Sequence, residues 1–330
     1  MLWVKKWVWI ILLTVFAAAC AAYCGKKTKG TKLKKERAAC ENCDGENTVV
    51  PDDKTADQNT VTTDGGAASM AITDNKWLQA MTFNLLYDIG RREGDRAARV
   101  CAVIEQVLPD TFGVQEATGA WMRILNERFG DIYESVGISR DGANDSEGEY
   151  SAIFYKKGMF REIESGTKWL SDTPDVCSKV EESSLPRILT YALLERCTDG
   201  QRILFVNTHL DHTTEVARVK QTAYLLAFLF TYTDYPIVLT GDFNEVCEKD
   251  SICMVENFGL TDSSTIADQA YRRTTFSGFC PDGGVTIDYV FVNEDRIEIA
   301  DYRVIDEMVD GDYPSDHFPV VVCYRIKDDL

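Results

Sequence analysis

Histidine is scarce in this chain, with three residues in 330. Cationic residues are short too: 35 Lys and Arg stand against 53 Asp and Glu, a formal net charge of −18. The deficit is deeper in the body of the chain. Residues 1–37 hold nine Lys or Arg and one Glu, so the remainder carries 26 basic and 52 acidic residues and a net of −26. So acidic a body repels long nucleic acid at a distance, because affinity for a polyanion comes mostly from neutralised phosphates. A short substrate, a local basic groove, or a charge met by metal ions stays compatible. The eleven cysteines form no regular framework, and their number is odd. Cys40 and Cys43 make a CxxC, but no second CxxC and no nearby His completes a zinc site. Cys247–Cys253 and Cys177–Cys197 stand as candidate disulfides. There is no internal repeat, and no linker interrupts the chain after Trp77.

The chain opens with Lys5 and Lys6 ahead of an apolar run from Trp7 to Cys24. Residues 1–24 read either as a cleaved signal peptide, with Ala17, Ala18 and Ala19 near the cut, or as an uncleaved signal anchor over residues 7–24. Cys20 as a lipid-modified residue is a variant of the first reading. The lysines at 26, 27, 29, 32, 34 and 35 would hinder translocation and could bind anionic head groups. Both readings send the chain to a membrane, and the expectation is export to the cell envelope or beyond. Residues 25–76 read as a basic, then polar, disordered linker rich in Asp, Thr, Asn, Gly and Ala.

From residue 77 to about 328 the texture becomes strands alternating with helices. "LQAMTFNLL", "TFGVQE", "EYSAIFYKK", "RILFVNTHL", "PIVLTGDFN", "TIDYVFV", "IEIADYRVI" and "FPVVVCYRI" read as strands. "GDRAARVCAVIEQVLPD" predicts a helix capped by Asp95, with Ala97, Cys101, Ile104 and Leu108 on one face and Pro109 as its stop. "GAWMRILNERFG" predicts a second. "TTEVARVKQTAYLLAFLF" predicts a third, burying Val216, Val219, Ala223, Leu226 and Phe230. This order fits one layered α/β domain with sheets inside and helices outside.

Polar residues recur where apolar strands end. "TFN" offers Asn84, "GVQE" Glu116, and "FVNTHLDH" Asn207, His209 and Asp211. "GDFNE" offers Asp242 and Asn244, "TIDYVF" Asp288, and "SDH" Asp316 and His317. Each piece alone has a bland reading: GDxN is a common turn, Glu116 could cap the next helix, and an isolated His at a strand end is usually structural. Taken together they point to a site. Two carboxylates 4 Å apart repel by roughly 4 kcal/mol at an effective dielectric near 20. Glu116, Asp242, Asp288 and Asp316 therefore need positive charge if they converge. Oxygen ligands with few His and no Cys suit Mg²⁺ or Mn²⁺ over Zn²⁺. Strand alternation would aim Asp242 and Asn244 the same way, with Phe243 turned inward. Gly241 would let backbone and ligand approach closely.

The ordered set "MTFNLLYD", "GVQE", "NTHLDH", "LTGDFNE", "TIDYVFV" and "SDHFPVVV" resembles the endonuclease/exonuclease/phosphatase superfamily over about Trp77–Ile326. The stretch "WLSDTPDV…LPRILTYALLE" is similar to its bacterial exported branch. The resemblance implies a DNase I-like four-layer α/β sandwich: two mixed β-sheets packed face to face, helices outside, active site at one rim. It implies Glu116, Asn84, Asp316 and Asp242 as metal ligands. Asp242 would also polarise the attacking water, and Asn244 would bond a phosphate oxygen. His317, oriented by Asp288, would act as general base or phosphorane stabiliser. His209 would contact the phosphate or assist the leaving oxygen. Arg187 stands as a phosphate clamp and Tyr150 as a weaker phosphate contact, with a sheet-core role as its alternative. Asp211 and His212 stay undecided. The implied activity is Mg²⁺- or Mn²⁺-dependent phosphodiester hydrolysis by in-line attack of water. Nuclease action on short or single-stranded chains comes first among substrates, then a small phosphorylated molecule or lipid head group. A non-catalytic surface binding module is the remote alternative. The implied partners are the phosphate-ester substrate and, through the N-terminus, a membrane; no protein partner is implied.

Overall fold

Near-continuous apolar runs fold as strands covered on both faces. In this computed structural model the described residues are 76–280 and 283–327. The N-terminal segment, the linker and the Cys40–Cys43 pair lie outside them. Strands and helices are numbered in chain order. One sheet has seven strands in the spatial order β10 (Gln269–Tyr271), β12 (Ile297–Val304), β13 (Val320–Ile326), β1 (Leu78–Asn84), β2 (Thr111–Gln115), β4 (Ile153–Lys156) and β3 (Tyr133–Val136). The other has six: β5 (Phe160–Trp169), β6 (Ile188–Arg196), β7 (Arg202–His209), β8 (Ile237–Asp242), β11 (Asp288–Val292) and β9 (Thr261–Asp262). Both are mixed: β1 runs parallel to β2 and β7 parallel to β8, while most other pairs are antiparallel.

Three apolar clusters define four layers. One lies between the sheets and joins Leu78, Ala80 and Val322 of the first to Leu194, Phe205 and Val290 of the second. A second packs the outer face of the first sheet against helices α1 (Arg96–Val107) and α2 (Gly119–Phe129). The third packs the outer face of the second sheet against α3 (Glu215–Leu229) and α4 (Asp250–Phe258). A one-turn helix, α5 (Ser263–Ile266), completes the set. The chain thus folds as the expected sandwich of two mixed sheets.

The helix signals hold at their starts and shift along their faces. Asp95 caps α1 by accepting from the Ala98 amide at 2.9 Å. Leu108, expected on the buried face, instead takes a left-handed φ of 47° and is 40% exposed, because the chain turns outward ahead of Pro109. In α3 the expected stripe is partly wrong: Val216 and Phe230 are exposed, and Ala217, Gln221, Leu225 and Leu229 are buried. "AYLLAFLF" is apolar nearly all round, so spacing alone cannot choose its face. Gln221 decides it by accepting from the Asp211 amide at 2.8 Å and donating to Ser183 Oγ at 3.0 Å. Cys177, Cys197 and Cys247 carry free thiols, so neither candidate disulfide forms.

A buried polar cluster ties the two sheets together. Asn207 of β7 donates to the carbonyls of Val114 (2.9 Å) and Ala152 (3.0 Å), and its Oδ1 accepts from Gln115 (2.6 Å) and Thr240 (3.1 Å). A Cβ on Gly113 would fall 2.5 Å from the Asn207 side chain, so only glycine allows this approach. Asn207, one of the strand-tip residues, is therefore a clamp between sheets.

Candidate active site

Strand pairing builds the second sheet's half of the site. Asp242 pairs with His209 across the β7–β8 ladder and with Asp288 across the β8–β11 ladder. The three side chains form one transverse row at the ends of neighbouring strands. A Cβ on Gly241 would lie 2.3 Å from the Thr208 carbonyl. Its glycine serves close strand approach, a correction to the expected ligand approach. Phe243 turns inward as expected and packs edge-on against Phe291.

Asn244 is presented differently from expectation. The strand ends at Asp242, and Asn244 adopts a left-handed φ of 50°. Its amide N–H donates to Asp242 Oδ1 at 2.8 Å, an Asx turn, so a turn and not pleat alternation aims the side chain. Nδ2 then meets His209 Nε2 at 3.0 Å and donates to the Leu210 carbonyl at 3.1 Å.

The first sheet supplies the facing half. Asn84, at the tip of β1, donates from Nδ2 to Asp242 Oδ2 (2.9 Å) and to Glu116 Oε1 (3.2 Å). It thus joins the two halves. Glu116 follows β2 with a left-handed φ of 54° and accepts from the Tyr87 amide at 2.9 Å. Thr118, not Glu116, caps α2. Ser315 donates to the Asn84 carbonyl at 2.8 Å and lies 3.2 Å from Asp316 Oδ1, which fixes the "SDH" segment beside β1. His317 Nδ1 sits 2.9 Å from Asp288 Oδ2, its Nε2 lies 3.8 Å from Asp242 Oδ2, and Phe276 packs on its ring.

The electrostatics follow from burial. Desolvation and the adjacent Asp288 push the Asp242 carboxyl up to about 7. Burial alone would lower the His317 pKa, but Asp288, Asp242 and Asp316 push it up to about 10, so the ring is cationic at neutral pH. Burial, with the charges of Arg187 and Arg140, holds His209 well below the ordinary histidine range and neutral. Burial raises Asp316 as well, and Glu116 adds to the rise.

These facts test where a cation would fit. One donor atom each from Asp242, Asp288 and His317 lies within 4.8 Å of the others. There the imidazolium already supplies positive charge. Glu116 and Asp316 repel each other, and the Asn84 amide supplies no net charge to offset them. Carboxylate oxygens on Glu116, Asp316 and Asp242 fit a hard divalent cation; Asn84, expected among the ligands, instead turns Nδ2 toward Asp242 and Glu116, and its Oδ1 accepts from the Leu86 amide at 3.0 Å.

The remaining candidates divide. Arg187 is 3% exposed and lines a cleft beside His209, and half-buried Tyr150 stands on the same wall. Asp211 leaves the site: its carboxylate accepts from Ser183 Oγ, from the Ser184 amide and hydroxyl, and from the Thr213 and Thr214 amides. Exposed His212 meets Arg187 Nη2 through Nδ1 at 3.0 Å.

Two groups escaped sequence reading. Arg96 is 0% exposed and donates to the carbonyls of Leu85, Leu86, Asp88, Ile89 and Pro314. It binds the loop after Asn84 to the residue before Ser315. Arg140 and Glu149 pair at 2.6 Å on the His209 cleft. An arginine in the first turn of an amphipathic helix reads as solvated, and the Arg140 loop has no period, so neither left a signal.

The profile described as Endonuclease/Exonuclease/phosphatase family matches residues 81–317. No curated protein matches the chain. Among solved structures, an endonuclease/exonuclease/phosphatase family protein from Bacteroides thetaiotaomicron is 31% identical, with a TM-score of 0.71 over 76% of this chain and 98% of that one. A mannosyl-6-phosphatase of the same organism is 30% identical, with a TM-score of 0.67 over 74% of this chain and 98% of that one. TDP2 of D. rerio, complexed with a single-strand DNA product, is 20% identical with a TM-score of 0.61 over 76% and 99% of the two chains, a likeness of fold alone. With its profile match, its sandwich and its rim of acids, amides and imidazoles, the chain belongs to the endonuclease/exonuclease/phosphatase family.

Proposed function

We propose that this chain hydrolyses phosphate esters of small polar molecules by attack of water, with Mg²⁺ or Mn²⁺ held by Glu116, Asp316 and Asp242, the carboxylates of Glu116 and Asp242 being tied together by Asn84. The observation that carries the reading is the transverse row His209–Asp242–Asp288, bridged by Asn84 to Glu116 at one rim. Glu116, Asp316 and Asp242 would hold the cation, which would supply neutralisation of the charge developing on the phosphate and the leaving oxygen. Asp242, bonded by the Asn84 side chain and the Asn244 amide and 3.8 Å from His317 Nε2, orients the attacking water and accepts its proton. Cationic His317, fixed by Asp288, donates from Nε2 to an oxygen of the phosphorane and is not the base. Neutral His209 and Asn244 contact a further phosphate oxygen.

The sequence put nucleotide chains first among substrates. Three observations favour a small phosphorylated molecule instead. The acidic body opposes a polyanion. The cleft beside His209 is small and carries its own arginines. A 30% identical relative is a mannosyl-6-phosphatase, whereas the DNA-bound neighbour shares fold alone. Export, with residues 7–24 as an anchor, remains part of the proposal on the sequence alone, and fractionation of the intact chain tests it.

The deciding experiment is a panel of sugar phosphates, inositol phosphates, lipid head-group esters and oligonucleotides, each with Mg²⁺, Mn²⁺ or EDTA. Metal-dependent release of phosphate from a small ester is the expected result. Cleavage of oligonucleotides with no turnover of any small ester overturns it.

A further inference from the structure

The cleft beside His209 is tight, about 10 Å³, room for one oxygen-sized group, and has two guanidinium groups in its walls. Arg187 opens the approach to β6. Its Nη2 meets His212, while Nε and Nη1 are buried with no hydrogen-bond partner. Arg140 gives Nη2 to Glu149 at 2.6 Å, and its buried Nε likewise has no partner. Two guanidinium groups and the Glu149 carboxylate stand beside neutral His209, with Asp242 and Asp211 also within electrostatic reach of Arg187. Buried donors are ordinarily satisfied, so orphaned N–H groups on a cleft wall mark a place that a ligand completes.

The wall is built rather than incidental. The Arg140 amide donates to the Glu149 carbonyl at 2.8 Å, and Trp169 Nε1 donates to the Arg140 carbonyl at 2.7 Å. The Tyr150 amide donates to the carbonyl of Ala117, the residue after Glu116, at 2.8 Å. The arginine wall is therefore held in register with the carboxylate half of the site.

We propose that Arg187 and Arg140 receive non-ester oxygens of a terminal phosphate, so that the chain selects phosphomonoesters over phosphodiesters. This rests on the phosphoesterase reading and assigns its substrate class. Each guanidinium can give a charge-assisted hydrogen bond to a phosphate oxygen. In-line displacement leaves three oxygens around phosphorus. One faces Glu116 and Asp316, one faces His209 and Asn244, and the third faces the arginines. In a diester, one of the three carries a second organic chain and would give up its contact with one of these walls. The water oxygen bonds to phosphorus and the ester P–O bond breaks. One water proton passes through Asp242 to solvent, the leaving alkoxide takes a proton from solvent, and inorganic phosphate departs.

The test compares p-nitrophenyl phosphate with bis(p-nitrophenyl) phosphate in Mg²⁺ and Mn²⁺. Wild type should prefer the monoester in kcat/KM by about 10²-fold or more, and Arg187→Ala and Arg140→Gln should each cut that preference by about tenfold or more. Arg187→Lys, which keeps charge but not the fork, should restore only part of it. Inorganic phosphate with EDTA present should raise the Tm of wild type and not of Arg187→Ala or Arg140→Gln. Arg140 is the more exposed of the two, so its variant answers if Arg187→Ala fails to fold. Metal-dependent turnover with no monoester preference, or with equal losses on both esters, overturns this inference and leaves the phosphoesterase reading standing. No metal-dependent turnover of either ester, nor of any substrate in the panel above, overturns both.

Discussion

His317 Nδ1 lies 2.9 Å from Asp288 Oδ2, and Asp288 faces Asp242 directly across the β8–β11 ladder. One carboxylate therefore orients the imidazole and loads Asp242 with charge. The other oxygen of Asp288, Oδ1, is buried with no partner, so the carboxylate's one hydrogen bond is the one to His317.

Asp288→Asn and His317→Ala should each lower kcat by about 10²–10⁴, the range expected when an oriented proton-transfer or hydrogen-bonding group is lost. The melting temperature should stay within a few degrees of wild type. Steady-state rates beside a thermal melt check this. A rate within threefold of wild type in either variant removes that residue from the mechanism.

Asp242→Asn should separate activity from stability. Burial and Asp288 disfavour the charged Asp242 carboxylate, so a neutral isostere relieves repulsion in the cation-free protein. The Tm in EDTA should equal or exceed wild type while turnover with Mg²⁺ falls by about 10² or more. A marked loss of Tm would show that Asp242 is primarily a structural acceptor.

Asp211 gives a pH-dependent prediction. Burial alone would raise its pKa, but the Thr213, Thr214 and Ser184 amides and the Ser183 hydroxyl hold it at about 2. The folded value lies below the ordinary one, so its stabilisation is complete above about pH 4 and is lost as pH falls toward 2. The shift corresponds to about 2 kcal/mol. Asp211→Asn should lower the Tm by about 5 °C at pH 7, and the gap from wild type should close between pH 4 and pH 2. Melts across that range check it; a gap independent of pH would contradict the assignment.

Arg96→Lys should lower the Tm by at least about 5 °C, because an ammonium cannot serve five carbonyls from one plane. It should also raise the Mg²⁺ concentration for half-maximal rate, since those carbonyls flank Asn84 and Ser315. A variant with unchanged metal requirement would limit Arg96 to holding the fold.

Much of the site was legible because polar residues at strand tips break an apolar pattern. Asn84, Glu116, His209 and Asp242 each follow such a run, while Asp288 opens one and His317 stands just ahead of one, and a ladder brings neighbouring tips together whatever their separation in sequence. The sandwich was legible for the same reason. β5 left no strand signal, since "FREIESGTKW" is an edge strand in which only Phe160 and Trp169 are buried. Asn207 and Asp211 share the pattern of the candidate site residues and differ only in what surrounds them, which spacing does not encode. Arg96 and Arg140 depend on carbonyls and a carboxylate held by tertiary contacts, which a linear reading cannot place.

The half-sites come from different sheets, and the clamp centred on Asn207 joins those sheets. Catalytic competence is thus a property of the docked pair and of neither sheet alone. A folding intermediate with one sheet formed would be inert toward substrate, and the first turnover would time the last docking step. A bulky residue at position 113 would act there like a shim under a lathe head, throwing the cutting edge out of line while the machine still stands.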